Sequence, residues 1–240
     1  MILAIDASEN SCSVAIGSDD WCDQRISLES KGQARVLLPM LQELLDAHNY
    51  SLNDIEVIAV AAGPGAFTGI RIACAFAQGL SFSLNRPMIA ISSLKALAHK
   101  AHRLTGCHAV YVAMDARMNE IYYAGYRFDK NRVEILQIEQ ALPLSEWKIE
   151  SILLENESSI IFGSGAALLS PAILLEKKSV IYSINSENHS FETLNHEEIS
   201  STIESEDVLI LARTEWQNKN IITANNFEPI WLRPDTVQIR

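Results

Sequence analysis

The sequence has few cysteines and none of the spacings that cysteine chemistry uses. Cys12, Cys22, Cys74 and Cys107 lie far apart and form no C-x-x-C pair. Zinc ribbons and dithiol redox sites use closely spaced pairs, and secreted disulfide scaffolds use a dense set of cysteines. We therefore expect four reduced thiols, with Cys74 inside an apolar helix.

Positive charge is also scarce. Nineteen lysine and arginine residues stand against thirty acidic residues, which gives a formal net charge of −11. Nucleic acids and anionic membrane surfaces bind clustered basic side chains, and this sequence has no run of them. The composition therefore disfavours direct binding of either.

Long apolar runs are missing as well. No uncharged apolar run approaches the ~18–20 residues of a membrane span. Four apolar residues from Ile2 lead directly to Asp6, without the longer apolar stretch of a signal peptide. Together these absences predict a cytoplasmic protein. Its 240 residues, 48% of them hydrophobic, suffice for a core in one large domain or two small ones.

The most distinctive stretch is a glycine loop between two apolar runs. Residues 55–62 are a compact apolar run, residues 63–69 read GPGAFTG, and residues 70–80 are almost free of charge. This pattern predicts a buried strand, a loop and a buried helix, the geometry that points backbone N–H groups at an anion. The loop has no Walker A lysine, and Thr68 stands where a dinucleotide fingerprint needs its third glycine. The sequence leaves open whether the loop holds a phosphate or serves assembly.

Two short motifs recur in the same order along the chain. Residues 4–10 (AIDASEN) match residues 113–119 (AMDARMN), and residues 62–66 (AGPGA) match residues 162–166 (FGSGA). Each motif follows an apolar strand, and the shared order makes a chance match less plausible than either motif alone. The repeat predicts two domains built on one plan.

The predicted layout is an aspartate after the first strand, a hairpin, and glycine turns in both halves. This is the layout of the actin, sugar-kinase and Hsp70 superfamily, in which turns from both domains hold the phosphates of ATP. We therefore predict a duplicated actin-like α/β fold with a mixed sheet and helices in each domain. The predicted domains are residues 1–104, completed by residues 208–240, and residues 105–207.

A residual nucleotide cleft in such a fold would use side chains and glycines from both halves. The candidates are Asp6, Ser8, Gly63, Gly65, Thr68, Gly69 and Asp115. Asp6 has an alternative role, because a carboxylate after a strand also accepts hydrogen bonds from its own turn. Asp115 similarly has an alternative structural role, with Arg117 and Glu120 beside it as local partners for a structural ion pair. We expect no cofactor, with weak ATP or ADP binding left open.

The histidines give little support for a metal. His99 and His102 share one helix face, beside Lys100 and Arg103, which is typical of an exposed polar face as well as of a metal pair. There is no H-x-x-x-H pair and no G-x-S-x-G nucleophile elbow. We therefore assign no catalytic residue and no metal ligand.

The predicted helix over residues 33–49 is apolar over an unusually wide arc. Its apolar positions cover about 200° of the helix surface, against the ~100° stripe of a one-sided surface helix. Pro39 within it predicts a kink or a later start. Such a helix is covered from two sides, either by the rest of the fold or by a partner, and the sequence does not separate the two.

The glycine loop and its helix resemble a family signature. Residues 63–72 (GPGAFTGIRI) resemble the GPGSFTGLR signature of the TsaB (YeaZ) family of bacterial tRNA threonylcarbamoyladenosine biosynthesis proteins. The segment 115–122 (DARMNEIY) is also similar to that family, and Trp231 departs from the tyrosine that its tail often carries. Further similar stretches are residues 2–8, 38–40, 92–97 and 229–234.

The resemblance implies a role in making the threonylcarbamoyl group on adenosine 37 of tRNAs that read codons beginning with A. In that family the transferase is the sister protein TsaD, and TsaB is a non-catalytic partner that pairs with TsaD and with itself. The resemblance also implies a TsaE-like ATPase reached through the complex, tRNA contacted only through the complex, and no membrane. Two other functions stay open: an ATP-dependent phosphotransferase of the same fold and a metal-dependent hydrolase.

The family pairs through helices of its N-terminal domain, so the wide apolar arc becomes a candidate interface. The resemblance and the arc together predict a helical contact surface used for self-pairing and for pairing with the transferase. The predicted interface residues are Val36, Leu37, Met40, Leu41, Leu44, Ile70, Ala73 and Ala77.

Overall fold

The computed structural model describes residues 1–29, 32–129, 132–148, 159–169, 181–185, 190–194 and 202–233. The chain divides into two compact units. Unit 1 comprises Met1–Ala96 and Ile203–Ile230, and unit 2 comprises Leu97–Thr202 and Trp231–Arg240.

Unit 1 contains a five-stranded mixed sheet. Its order is β3-β2-β1-β4-β5, with antiparallel pairing of β1 with β2 and of β2 with β3, and parallel pairing of β4 with β1 and β5. Parallel neighbours need a crossover, which helices α1 and α2 provide. The elements are β1 (Ile2–Asp6), β2 (Cys12–Gly17), β3 (Cys22–Ser27), α1 (Gln33–Ala47), β4 (Val57–Ala61), α2 (Phe67–Leu84), β5 (Met88–Ile91) and α4 (Ser205–Gln217), and helix α3 (Ser93–Thr105) begins in this unit and continues into unit 2.

The predicted domain boundary at residue 104 needs correction. The division falls between Ala96 and Leu97, eight residues earlier and inside α3. The chain thus passes from one unit to the other within a continuous helix, and Thr105 marks the end of that helix. Residues from 231 onward belong to unit 2, where Arg233 pairs with Glu120 at 2.6 Å, so only residues up to Ile230 complete unit 1.

The two faces of the unit 1 sheet carry side chains of different size. Leu3, Ile5, Val14, Ile58 and Val60 pack with α1 and α2 in one large core cluster. Because side chains alternate along a strand, the opposite face carries small residues such as Ala4, Ala15 and Ala59. Helix α4 contacts all five strands, and these small side chains allow it to lie close to the sheet.

Two buried serines fix the start of α4 on the sheet. The backbone N–H of Ser205 donates to Ser13 Oγ at 2.8 Å, and Ser205 Oγ donates to the Ser13 carbonyl oxygen at 2.7 Å. These bonds satisfy a helix N-terminal N–H that would otherwise be buried without a partner. The C-terminal part of the chain is therefore a structural layer of unit 1.

Helix α1 is continuous through Pro39 and begins six residues before it. The prediction of a later start is therefore wrong. One stripe of α1 is buried against β2, β3 and α2. This stripe comprises Leu37, Met40, Leu41, Leu44 and Leu45.

Unit 2 contains a six-stranded sheet in the order β11-β10-β9-β6-β7-β8. Tyr111 and Tyr123 stack in its core with ring centroids 6.2 Å apart. Gly125 is required beside them, since a Cβ there would lie 2.6 Å from the Tyr111 ring. The strands are β6 (Ala109–Arg117), β7 (Glu120–Asp129), β8 (Arg132–Pro143), β9 (Ser159–Phe162), β10 (Ile181–Asn185) and β11 (Ser190–Leu194).

The predicted internal repeat appears in the strand pairing. The order β3-β2-β1-β4 in unit 1 corresponds to β8-β7-β6-β9 in unit 2, with two antiparallel pairs followed by one parallel pair in each. Gly63 follows β4 with φ 114°, and Gly163 follows β9 with φ 118°. The copies diverge afterwards, since Gly163 leads to a short 3-10 turn, Ala166–Leu168, and β10 is antiparallel to β9.

The thiols of unit 1 lie where they cannot readily ionise. Cys12 is fully buried and Cys74 nearly so, while Cys22 and Cys107 are partly buried. Burial raises the pKa of Cys12 to about 11 and that of Cys74 to about 12, and it also raises the pKa of Cys22 to about 11. Since the thiolate is the reactive form, these three groups should be unreactive in the native state.

This burial predicts a simple labelling pattern. At pH 8 the native protein should react fast with a soluble disulfide reagent at one thiol, Cys107, and Cys12 and Cys74 should react only on unfolding. The Cys107→Ser variant, whose fast phase should vanish, is the control. A fast phase at Cys74 in that variant would contradict the buried position of its side chain.

Candidate functional site

Asp6 ends β1 and is fully buried. Its Oδ1 accepts a hydrogen bond from the Ser8 backbone N–H at 3.1 Å and a second from Ser8 Oγ at 2.5 Å. This is the local turn role that the sequence offers as the alternative to a place in a nucleotide cleft. The carboxylate thus fixes the conformation of the Asp6–Ser8 turn.

Three glycines of the loop are explained by backbone contacts within unit 1. A Cβ on Gly69 would lie 1.9 Å from the Ala7 carbonyl oxygen, and a Cβ on Gly65 would lie 2.4 Å from that of Ser8. Gly63 has a left-handed φ, and a Cβ there would lie 2.5 Å from the Ile230 carbonyl oxygen. The glycines therefore let the loop pack closely on the turn after β1.

Residues 222–230, here called the closing segment, cover the other side of the loop. Ile222 pairs with Met88 of β5, and the Ile230 N–H donates to the Ala62 carbonyl oxygen at 2.8 Å. Gln78 of α2 donates to the Ala224 carbonyl oxygen at 3.1 Å. The glycine loop is thus held between the β1 turn and the closing segment.

The candidate nucleotide residues of unit 1 meet at one edge of the sheet, after β1 and β4. Asp6, Ser8, Gly63 and Gly69 are buried there, and Thr68 is exposed at the start of α2. The Ala66 N–H, which a phosphate would use, donates to the Ser8 carbonyl oxygen at 2.7 Å. This edge is therefore filled largely by contacts of the chain with itself.

Asp115 occupies the equivalent edge of unit 2 in the same local role. Its Oδ1 accepts from the Arg117 N–H at 2.7 Å, and its Oδ2 pairs with the Arg117 guanidinium at 3.0 Å. The predicted ion pair with Arg117 is therefore present, whereas Glu120 pairs instead with Arg233. Residues 117–119 all adopt left-handed φ, a turn that these contacts stabilise.

Little in the described residues suits a phosphate or a metal. No group of three or more His, Cys, Asp or Glu side chains there is arranged to hold a metal ion. His102 Nδ1 donates to the Cys107 carbonyl oxygen at 2.8 Å, and its ring stacks on that of Phe128 with centroids 4.9 Å apart, as a packed histidine does. Arg71, the one cation of α2, lies over the Phe67 ring at 3.7 Å from its centroid.

The prediction that these eight residues form an exposed contact surface is mostly wrong. Seven of the eight are buried in the core cluster of unit 1, and Val36 is partly buried against the same cluster. The apolar arc of α1 was wide because the sheet and α2 both cover it. The buried seven are Leu37, Met40, Leu41, Leu44, Ile70, Ala73 and Ala77.

A different apolar surface lies on the outer side of α1 and α2. Leu38 is 52% exposed, Phe67 is 54% exposed and Phe82 is 76% exposed. Between the helices is an open groove of about 580 Å³. Its lining residues are Ala34, Leu37, Phe67, Thr68, Arg71, Ile72, Ala75 and Phe76.

Helical periodicity could have separated this surface from the core. Phe67, Arg71, Ala75 and Phe82 lie within about 80° of one another on α2, opposite the buried side at Ala73. In α1, Leu38 is the large apolar residue outside the buried stripe. The sequence alone did not show which side faces the sheet, so the more continuous stripe was assigned to the partner.

The composition of α2 reflects these two apolar sides. By length and hydropathy it is a helix that could cross a membrane, and about a third of it is buried in the structure. Core helices meet the same criterion, and Ile70 and Ala77 do lie in the core. The apolar residues that the core leaves exposed need another explanation, such as a protein partner.

Comparison with known sequences points to one family. The sequence profile described as TsaD, tRNA N6-adenosine threonylcarbamoyltransferase, matches residues 27–165. The tRNA threonylcarbamoyladenosine biosynthesis protein TsaB of Escherichia coli K12 is 41% identical over 132 residues, which are 55% of this chain and 57% of that protein. The protein of the same name from Haemophilus influenzae is 31% identical over 97% of this chain and 93% of its own length.

Solved structures agree over the whole chain. YeaZ from Pseudomonas aeruginosa superposes with a TM-score of 0.80 at 30% sequence identity, covering 96% of this chain and 99% of that one. A second Pseudomonas aeruginosa structure, described as similar to peptidase YEAZ, has a TM-score of 0.79. The duplicated actin-like fold predicted from the repeat is therefore confirmed.

The packing of the glycine loop generates a test with a matched control. Gly69→Ala should lower the free energy of unfolding by about 1–3 kcal/mol, because the new Cβ collides with the Ala7 carbonyl oxygen. Gly79→Ala, in the same helix with open space at its Cβ, should raise it by about 0.5–1 kcal/mol. Urea unfolding followed by circular dichroism measures both, and equal effects would contradict the close approach at Gly69.

Proposed function

Because this chain belongs to the TsaB family of tRNA threonylcarbamoyladenosine biosynthesis proteins, we propose that it is the non-catalytic partner subunit of a TsaD-like transferase. In this role it binds the transferase and activates it to modify adenosine 37 of tRNAs that read codons beginning with A. The transferase carries out the chemistry. This chain contributes a binding surface and the fold that holds it.

The observation that carries this proposal is the apolar surface on the outer side of α1 and α2. Leu38, Phe67 and Phe82 expose large apolar side chains on these helices, and Phe67 lines the groove between them. None of the three belongs to the core cluster of unit 1. Burying such side chains yields roughly 1.5–3 kcal/mol each, which is enough to drive pairing of two helical surfaces. The groove is the contact surface in this proposal.

The state of the glycine loop supports a role without catalysis. In the described residues the loop is packed between the β1 turn and the closing segment, and Asp6 is engaged by Ser8. A phosphotransferase needs donors that point at its phosphates and a cation to offset their charge. Arg71 lies over Phe67 instead. We propose that nucleotide contact in this chain is residual at most.

The other predicted partners are an ATPase, a tRNA and a second copy of this chain. We propose that a TsaE-like ATPase and the tRNA are reached through the transferase, and that self-pairing uses the same helices. The net charge of −11 supports leaving tRNA contact to another subunit, since phosphate binding needs clustered cations. A cytoplasmic location is part of the same proposal.

Pairing should depend on the outer side of α1 and not on its core stripe. Leu38→Asp should abolish co-purification with the transferase while shifting stability by less than about 0.5 kcal/mol, because the residue is exposed. Leu44→Ala, in the fully buried stripe, should cost about 2–5 kcal/mol and keep pairing at a temperature where it is folded. Affinity co-purification and urea unfolding measure the two effects. Pairing that survives Leu38→Asp would place the contact elsewhere.

The alternative phosphotransferase function is tested with nucleotide. Calorimetric titration of the isolated chain with Mg-ATP should give no saturable heat, because the phosphate-facing N–H of Ala66 is already bonded to Ser8. The Asp6→Asn variant should likewise give no saturable heat. Its free energy of unfolding should fall, because the turn after β1 is weakened. Saturable binding that disappears in Asp6→Asn would instead favour an ATP-dependent enzyme.

A further inference from the structure

Two arginines of unit 1 have no hydrogen-bond or ion-pair acceptor among the residues that the structure describes. Arg35 on α1 and Arg71 on α2 are both exposed, and neither side chain forms a hydrogen bond or ion pair with another residue that the structure describes. Arg71 lines the groove, and Arg35 adjoins the groove residue Ala34. Arg71 therefore belongs to the groove, and Arg35 lies one position along α1 from a residue that lines it.

The other arginines of unit 1 do find acceptors. Arg25 pairs with Asp23 at 3.0 Å, Arg86 donates to the Asn53 carbonyl oxygen at 3.0 Å, and Arg213 donates to the Trp21 carbonyl oxygen at 2.8 Å. The chain has eleven more acidic than basic residues, so carboxylates for Arg35 and Arg71 are not scarce. The two arginines left without one are those beside the groove.

The groove itself offers Arg71 no negative charge. No aspartate or glutamate is among its lining residues. The Arg71 Cζ lies over the Phe67 ring, 3.7 Å from its centroid. A guanidinium held on an aromatic ring loses conformational freedom and still has N–H donors to offer a ligand. A planar, ordered guanidinium suits a carboxylate, which it can bind through two parallel hydrogen bonds.

We propose that Arg71, assisted by Arg35, binds a carboxylate on the partner and so determines which helical surface the groove accepts. The occupant has an apolar helix face that carries an Asp or Glu positioned for Arg71. This inference rests on the proposed function and adds the charge of the partner's surface to it. Shape and apolar contact supply most of the affinity, and the carboxylate supplies orientation and selectivity.

A second copy of this chain is the less suitable occupant. In a two-fold contact the same surface meets itself, so each copy brings Arg35 and Arg71 and no acid from the groove. Like charges across an interface disfavour a pairing even where apolar contacts match. The two arginines thus favour a different, acidic partner over self-pairing.

Charge-variant binding to the purified transferase tests this directly, with full-length chains. Arg71→Glu should raise the dissociation constant about tenfold or more at 50 mM NaCl, because it places two like charges together in the contact. Arg71→Gln should weaken binding less. Arg132→Glu is the matched control, since Arg132 is exposed on β8 in unit 2 and its change alters the net charge equally.

The salt dependence of binding distinguishes a local ion pair from an effect of net charge. Raising NaCl from 50 to 500 mM should weaken the wild-type complex more than the Arg71→Gln complex, since only the former has the pair to screen. Self-association of Arg71→Glu, measured by sedimentation, should be no weaker than that of the wild type. Stronger self-association together with weaker transferase binding would be the clearest support.

The possible results distinguish a failure of this inference from a failure of the proposed function on which it rests. If Arg71→Glu binds the transferase as Arg132→Glu does, while Leu38→Asp abolishes pairing, the apolar contact stands and the carboxylate inference is wrong. If Leu38→Asp also leaves pairing intact, the surface on α1 and α2 is not the contact. The proposed contact and the carboxylate inference are then both wrong. Circular dichroism of each variant confirms that it is folded.

Discussion

The close approach of Gly69 to the Ala7 carbonyl oxygen is the constraint on which the rest of unit 1 depends. It brings the first turn of α2 against the turn after β1, at a distance that no side chain permits. Since α2 runs from that contact to β5, its direction over the sheet is set there. The side of α2 that enters the core and the side that stays outside are therefore both fixed by one glycine.

The same contact accounts for glycines that would otherwise suggest a phosphate-binding loop. In a phosphate loop the backbone N–H groups and helix N-terminus face an open space. Here Ser8 accepts the Ala66 N–H, and Ile230 of the closing segment lies against Gly63. The glycines are needed for packing within the chain, so a glycine-rich signature by itself does not indicate nucleotide binding.

The sequence predicted the elements and the repeat well, because strand and helix periods are local properties. It also predicted the glycine loop between a buried strand and a helix, for the same reason. It failed where the answer depended on distant contacts. The chain crosses between units inside α3, and Arg233 reaches Glu120 across 113 residues of sequence. It also assigned the core stripe of α1 to the partner, because periodicity shows that a helix has an apolar side but not what covers it.

In the complex proposed above, the two apolar sides of α2 would allow stability and partner binding to change independently. Ala73 and Ala77 face the core, whereas Phe67 and Phe82 face outward, so a substitution on one side need not disturb the other. The glycine contact links them, because it sets how the helix is rotated over the sheet. In the proposed complex this contact would position the outer side of α2 for a protein while the core of unit 1 stays unchanged.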